Sequence, residues 1–542
     1  MFGFYQPAKE YTDYRTLKDI IVEGGKKGGD KLQYVFDKKG KEIKKTFADV
    51  LKDENAIGAY LVSLGLDGGK KIAILAENSY EWCVAYFAVI AGANVCVPLD
   101  SRLSAKELAA QITDCGCDTL FCSKAMLDTV NEMSAKYGAE IKNVLITEKF
   151  DEYYAAAETL DEKYVKIFGE AQVKEDDLAC IVYTSGTTGK TKGVMLSQRN
   201  IASNVVSTCK YYEGGHGLGF LPLNHTYSWV AGILFTFIEG EWGFICTNLL
   251  HIYKDIKRIK PVNFAAVPMV VEMIYKKIIS DSKLNGKYDE LMNGISVSRN
   301  FMLSGLDRRR ELFSEIHESL GGNLKYILCG GAYLKPEIEE FMYDIGIQII
   351  TGYGLTECSP CVTTSRTYDF KFGSVGLVLD CNEVKINDPD ENGIGEIYVK
   401  GENVMMGYYG DKESTAAAFD GEWLKTGDLG YFDEEGFLFF TGRKKNLIIL
   451  SNGKNVSPEE LEDELSNELE YIKEVLVYEE NGKITAEIFP DMEAYPNCAE
   501  HISSDIEKFN SGMADFKKIN KVKLREKEFD KTTTLKIIRK YR

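Results

Sequence analysis

A chain of 542 residues exceeds what one hydrophobic core can organise, so two or more domains are expected. Its makeup, 44% apolar and 27% charged with 4 Trp and 31 Tyr, excludes a disordered acidic chain. A formal net charge of −18 argues against a nucleic-acid partner and against an anionic bilayer held by electrostatics, leaving only a peripheral membrane contact open.

The opening Met1–Phe2–Gly3–Phe4–Tyr5–Gln6–Pro7 lacks the basic start and long apolar run of a signal peptide, which implies a cytoplasmic chain. After a polar N-terminal lead, apolar runs and helix-like spans alternate. Strands are predicted at 72–75, 95–98, 119–122 and 144–147, with helices at 80–91 and 104–112 among them. That alternation implies parallel sheets covered by helices. The uncharged stretch 82–99 is long enough to raise a membrane span. Gly92, Asn94 and Pro98 break it, so it reads as a buried helix followed by a buried strand, and no transmembrane segment is expected. Thirteen cysteines are scattered among apolar residues. The close pairs Cys115–Gly116–Cys117 and Cys358–Ser359–Pro360–Cys361 have no second ligand pair at zinc spacing, so buried free thiols in a reducing cytosol are expected.

Next comes Tyr183–Thr184–Ser185–Gly186–Thr187–Thr188–Gly189–Lys190–Thr191–Lys192–Gly193, between apolar segments at 179–182 and 194–196. Glycines let backbone N–H groups turn toward an anion, hydroxyls donate to phosphate oxygens or reach a cation, and lysines add compact positive charge. The combination suits a polyphosphate. A Walker loop would require glycine at Thr184 and a helix afterwards. Here a strand is predicted to follow.

Strand–helix alternation resumes at 264–267, a helix through 277, 326–328, a helix at 336–343 and 347–350. Between the two halves lies Leu221–Pro222–Leu223–Asn224–His225–Thr226–Tyr227–Ser228–Trp229, where a lone histidine among aromatics reads first as core packing. Gly330–Gly331–Ala332, small residues after a strand, permit close approach of a flat ring. Thr351–Gly352–Tyr353–Gly354–Leu355–Thr356–Glu357 sets an aromatic face, a hydroxyl and a carboxylate in sequence. Asp428, in Thr426–Gly427–Asp428–Leu429, reads on its own as a turn cap. Gly442–Arg443–Lys444–Lys445–Asn446 follows, then about a hundred residues with a helix at 458–469 and strands at 475–478 and 484–488. The basic tail Lys531–Thr532–Thr533–Thr534–Leu535–Lys536 would by itself be a solvated face.

Taken in this order, the motifs resemble those of the adenylate-forming superfamily, which includes acyl-CoA synthetases, carrier-protein ligases and luciferases. The loop departs from the usual pattern at Thr191, where proline is common, and Leu535 and Asp530 depart near the end. The triple-threonine tail resembles that of bacterial long-chain fatty acyl-CoA synthetases. The resemblance implies an α/β fold: a large N-terminal domain (1–442) of parallel and mixed sheets flanked by helices, and a small mobile α+β lid domain (443–542) hinged at Lys445. It implies ATP held by Thr184, Ser185, Gly186, Thr187, Thr188, Gly189, Lys190 and Lys192. Adenine would lie at Gly330, Gly331, Ala332, Gly352, Tyr353 and Gly354, and phosphate at Thr356. It assigns the ribose to Asp428 with Arg443, Mg²⁺ to Thr184 and Glu357, and the substrate carboxylate to His225. Lys536 would be the adenylation lysine, and Gly453 would stand at the entrance for coenzyme A. Trp229 would line or gate an acyl tunnel, or simply pack the core.

The implied reaction is ATP-dependent, AMP-forming ligation of a carboxylic acid, medium- to long-chain and fatty, to coenzyme A. An aryl acid or a carrier-protein acceptor remains an alternative, as does a nucleotide-binding protein without turnover.

Overall fold

The strands and helices predicted on either side of the phosphate-type loop form where expected. Lys71–Leu75, Val95–Pro98, Thr119–Cys122 and Asn143–Ile146 are strands, and Tyr80–Ala91 and Ala105–Cys115 are helices. The computed structural model describes residues 9–184, 191–212, 214–246, 251–449, 455–531 and 537–539. It divides into two units: Met1–Glu383 with Val399–Leu424, and Val384–Tyr398 with Lys425–Arg542. The sequence-based boundary after residue 442 falls inside the second of these.

Among the described residues, the first unit carries two large sheets. One runs in the order Gly407–Tyr408, Lys192–Ser197, Leu178–Thr184, Val95–Pro98, Lys71–Leu75, Thr119–Cys122 and Asn143–Ile146. Its last five strands are parallel, and the first two are antiparallel additions. In the other sheet Gln348–Gly354, Tyr326–Cys329, Asn263–Ala266, Gly217–Gly219, Gly243–Ile245 and Leu32–Lys38 lie parallel in that order, with antiparallel strands at both edges. In parallel sheets of this kind ligands sit beyond the carboxyl ends of the strands. Both the 183–193 loop and the Gly330 and Gly354 turns leave from such ends.

The stretch 82–99 is a buried helix and strand, as read. Ser79 caps the helix by accepting from the Trp82 N–H, and Trp82 stacks on Tyr86 with ring centroids 5.5 Å apart. No helix among the described residues is long and apolar enough to cross a membrane. All thirteen cysteines are free thiols, eleven of them buried.

The N-terminal lead differs from its sequence reading. It holds the helix Leu17–Gly28, the hairpin Leu32–Lys38 with Lys41–Thr46, and the helix Phe47–Ser63. Gly24, Gly25 and Gly28 look like loop residues but serve helix packing. A Cβ on them would lie 2.7 Å from the Phe237 carbonyl, 2.6 Å from Leu51 Cγ and 2.2 Å from Phe47 Cγ.

In the second unit, Ile472–Glu480, Lys483–Pro490 and Lys521–Leu524 form a three-stranded sheet. Pro458–Glu468 and Cys498–Ser511 cover it through Leu461, Leu465, Ile502 and Ile506. Trp423–Phe432 and Leu438–Arg443 pair antiparallel beside Gly395–Gly401.

One buried acid in the first unit gives the fold a pH signature. Glu54, on Phe47–Ser63, is 1% exposed; its Oε2 accepts from Asn55 Nδ2 at 3.1 Å, and its Oε1 has no hydrogen-bond partner among the described residues. Burial pushes its carboxyl up to about 8, against the opposing pull of the Lys18 ammonium. The folded state therefore binds a proton that the unfolded chain releases near its ordinary value, and stability falls as pH rises from about 4.5 through 8. Glu54→Gln removes that slope. In thermal melts the variant should match the wild type at pH 5 and melt several degrees higher at pH 8.5; an equal offset at both pH values would contradict this.

Candidate active site

The strand Leu178–Thr184 delivers the chain to the glycine-rich loop, and Lys192–Ser197 takes it away, with Thr184 and Lys192 as direct cross-strand partners. Tyr183 fixes the entry: its hydroxyl donates to Asp114 Oδ2 at 2.7 Å and to the Gln111 carbonyl at 3.0 Å. A Cβ at Gly193 would lie 2.9 Å from Ile181 Cγ2, so the exit strand packs closely on the entry strand. A strand follows the loop, and the Walker reading has no helix to rest on. Ser185, Gly186, Thr187, Thr188, Gly189 and Lys190 lie outside the described residues, as do Gly453 and Lys536.

Glu357 lies on a 3-10 turn, Thr356–Cys358, that follows Gln348–Gly354. Its carboxylate Oε1 accepts from the Tyr408 hydroxyl at 3.0 Å, and its backbone carbonyl accepts from Met405 N–H at 2.8 Å. The Tyr408 ring in turn lies under the Lys192 ammonium, 4.6 Å from nitrogen to centroid. Lys192 and Glu357 thus meet on one tyrosine, with Thr184 across the ladder from Lys192. Sequence reasoning passed over it, although an aromatic pair between glycines, Gly407–Tyr408–Tyr409–Gly410, was visible.

The Glu357 turn is tied from behind by amides. Asn403 is fully buried and donates to the carbonyls of Cys358 at 2.7 Å and Cys361 at 2.9 Å. Asn204 donates to Cys361 O at 2.6 Å and accepts from Cys361 N–H at 3.1 Å. At Gly354 a Cβ would sit 1.9 Å from the Pro360 carbonyl, so only glycine fits that return. Tyr353 is 8% exposed, opposite Thr363 in the sheet.

Gly330 follows Tyr326–Cys329 and bonds the Ala266 carbonyl at 3.2 Å. A Cβ there would meet the Gly352 carbonyl at 3.5 Å and the Tyr227 ring at 3.6 Å, so Gly330, Gly352 and Tyr227 abut. Gly331 holds φ +88°, and Ala332 is exposed. His225 is half-buried at the start of the short helix Thr226–Ser228. Trp229 is fully buried, donates to Leu223 O at 2.6 Å and packs on Tyr86 at 5.1 Å, which is core packing.

Directly after Trp229 the chain winds as a π-helix, Trp229–Ile233, a form that often marks functional sites. Between it and the strands Gly217–Gly219, Gly243–Ile245 and Asn263–Ala266 lies a narrow cavity, part of it open to solvent. Phe220, Ile233, Phe235, Phe244 and Phe264 line it with Gly217, Gly219 and Gly232.

In the second unit Asp428 and Arg443 are cross-strand partners, with Arg443 Nε 3.0 Å from Asp428 Oδ1. Asp428 is 2% exposed and Arg443 is exposed. The turn before Asp428 is pinned: Thr426 Oγ1 donates to Ile397 O at 2.7 Å, and Glu396 accepts from Gly427 N–H at 3.2 Å and from Lys444 Nζ at 2.7 Å. Lys445 follows on the 3-10 turn Lys444–Asn446, where partial desolvation and the neighbouring Arg443 and Arg539 cations lower its pKa.

Asn403→Ala would remove the amide donor from the Cys358 carbonyl behind Glu357, while the Cys361 carbonyl keeps the one from Asn204. It should lower stability by about 1–3 kcal/mol, the cost of one unmet buried group. Chemical denaturation measures this, and a loss below about 0.5 kcal/mol would show the amide to be dispensable.

Residues 23–409 match the AMP-binding enzyme family, and residues 445–541 match the AMP-binding enzyme C-terminal domain. The chain is 30% identical over 475 residues to the long-chain-fatty-acid–CoA ligase FadD15 of Mycobacterium bovis, covering 83% of this chain and 78% of that one. It is also 30% identical over 474 residues to the long-chain-fatty-acid–CoA ligase 5 of Rattus norvegicus, covering 80% and 68%. The crystal structure of the anthranilate CoA ligase AuaEII in complex with anthranoyl-AMP shares the fold, at TM-score 0.76 and 20% identity over 97% of this chain and 96% of that chain. The chain belongs to the AMP-binding enzyme family, the adenylate-forming superfamily, as an enzyme of the AMP-forming acid–thiol ligase class.

Proposed function

We propose that this enzyme activates a medium- to long-chain fatty acid as its acyl-adenylate and transfers the acyl group to coenzyme A. The observation that carries the choice of acid is the aromatic-lined cavity beside the His225–Trp229 segment. It offers an alkyl chain apolar surface to displace water from, worth about 0.8 kcal/mol per buried methylene. An aryl acid needs less depth.

In this reading a carboxylate oxygen attacks the α-phosphorus of ATP. A P–O bond forms, the bond to the bridging oxygen of the β-phosphate breaks, and pyrophosphate departs. Two anions must meet, so the site has to supply positive charge and preorganised donors. Lys190, Lys192 and the loop amides hold the departing pyrophosphate; Lys536 bridges the carboxylate and the α-phosphate. Gly330, Gly331, Ala332, Gly352, Tyr353 and Gly354 receive adenine, with Thr356 at the phosphate. Asp428 accepts from the ribose hydroxyls beside Arg443, and His225 borders the acid. The thiolate of coenzyme A then attacks the acyl carbon and AMP leaves. For that step residues 443–542 act as a lid domain that turns about Lys445 and presents the Gly453 side.

The donor set fits magnesium. Glu357 presents a hard carboxylate oxygen and Thr184 a hydroxyl, and no group of three or more His, Cys, Asp or Glu side chains competes among the described residues. That is the pattern of an ion riding on substrate phosphates with one or two protein ligands. When bound, it would neutralise phosphate charge.

Acid-dependent ATP–pyrophosphate exchange across acetate, octanoate, palmitate and benzoate tests the substrate. Exchange should rise with chain length, and a maximum with benzoate would refute the fatty-acid reading. A Cβ at Gly232 meets nothing within 4 Å, so Gly232→Leu can extend into the cavity. It should cut kcat/KM for palmitate about tenfold or more and spare octanoate, a few lost methylenes' worth of burial. Lys536→Ala should abolish exchange and leave conversion of supplied acyl-AMP to acyl-CoA intact; equal loss of both steps would count against a lysine that serves adenylation alone.

A further inference from the structure

Tyr408 belongs to none of the motifs by which the nucleotide site is recognised, yet its side chain touches two of them. Its backbone is locked. Gly407–Tyr408 pairs antiparallel with Lys192–Ser197, Tyr408 opposite Val194, and the ladder continues through Met406 N–H to Met195 O at 2.9 Å and Tyr409 N–H to Gly193 O at 2.7 Å. Thr415 Oγ1 accepts the Tyr408 N–H at 2.9 Å. Gly407, at φ +131°, leaves no room for a Cβ, which would come within 2.7 Å of Thr415 Cγ2. A two-residue strand is thus held as firmly as a long one.

The side chain projects from this anchor with two contacts. The hydroxyl donates to Glu357 Oε1 at 3.0 Å, and the ring face carries the Lys192 ammonium at 4.6 Å. A carboxylate held through one oxygen keeps its other oxygen directed, and a cation resting on a ring face is held without being neutralised, as a carboxylate partner would neutralise it.

We infer that Tyr408 is the positioning residue of the magnesium–triphosphate site. Its hydroxyl orients Glu357 for the metal, and its ring holds Lys192 ready for the phosphates. This rests on the ligase reading above and adds a residue that acts through two others. A tyrosine that merely filled space would give a different result on removal of its hydroxyl.

The test uses the full chain with Tyr408→Phe and Tyr408→Leu. Calorimetric titration of ATP at graded Mg²⁺ should show that Tyr408→Phe needs about tenfold more Mg²⁺ for half-maximal affinity, the weight of one hydrogen bond to a charged group. Its melting temperature and its KM for the fatty acid should stay at wild-type values. Tyr408→Leu should in addition raise the KM for pyrophosphate in exchange, because Lys192 loses its seat. In Glu357→Gln, adding Tyr408→Phe should change the Mg²⁺ requirement no further. Wild-type Mg²⁺ dependence in Tyr408→Phe, or additive losses in the double variant, would overturn the inference. If the wild type exchanges label with fatty acids and Tyr408→Phe is indifferent, this inference falls and the ligase reading stands. If the wild type shows no acid-dependent exchange, the ligase reading falls, and the calorimetric titration still decides on Tyr408.

Discussion

The strand Lys192–Ser197 is held on both edges, by Leu178–Thr184 on one side and Gly407–Tyr408 on the other, and that double pairing fixes where the glycine-rich loop begins and ends. A loop rich in glycine can present many N–H groups to an anion, but it has high conformational entropy and binds well only if its ends are fixed. Register fixes them: Thr184 faces Lys192 across the ladder, so entry and exit of the loop cannot drift apart. The same register sets Tyr408 opposite Val194, which brings its ring under Lys192 and its hydroxyl to Glu357. Backbone pairing thereby determines that Lys192 and Glu357 meet on one side chain.

That local arrangement matters because the rest of the chain works against it. A protein of net charge −18 repels a polyanionic nucleotide at long range. At physiological salt exposed charges farther away than about 8 Å are largely screened, so affinity has to come from groups within contact distance. Glu357 adds negative charge where phosphate is expected, which makes sense only with a cation between them. The Tyr408 hydrogen bond holds one oxygen of that carboxylate in place. The apolar cavity obeys a complementary rule. Gly217, Gly219 and Gly243 thin the sheet on one side and the π-helix bends away on the other, so the space arises from missing side chains and an altered winding.

Much of this was legible in the sequence, for identifiable reasons. The alternation of strand and helix from residue 71 to 146 was readable because its strands are short, apolar and bounded by capping or turn residues; Ser79 and Ser104, for example, each accept from an N–H in the first turn of the following helix. The Thr184 and Glu357 motifs were readable because their chemistry is written in consecutive residues. The N-terminal helices were missed because Gly24, Gly25 and Gly28 signal a loop locally, and only Phe237, Leu51 and Phe47 show why they are small. Tyr408 and Asn403 escaped notice for a related reason. Each acts across a long sequence gap, on Glu357 and on the Cys358–Cys361 turn, and a single tyrosine or asparagine carries no spacing signal. For Trp229, four residues from His225, the sequence left open an acyl-tunnel residue or core packing; its indole N–H is satisfied within the core and its ring rests on Tyr86.

The Asp428–Arg443 pair shows how a residue can satisfy two requirements at once. A carboxylate this buried is costly without a cation, and the cross-strand arginine supplies one, its Nε 3.0 Å away. In the proposed role the same carboxylate would accept from the ribose hydroxyls. The turn at Gly427 then has to stay put, and Glu396 sees to that by taking both the Gly427 N–H and the Lys444 ammonium. A residue that reads from sequence as a simple turn cap is held instead by the strand pairing of Trp423–Phe432 with Leu438–Arg443, which sets Asp428 opposite Arg443.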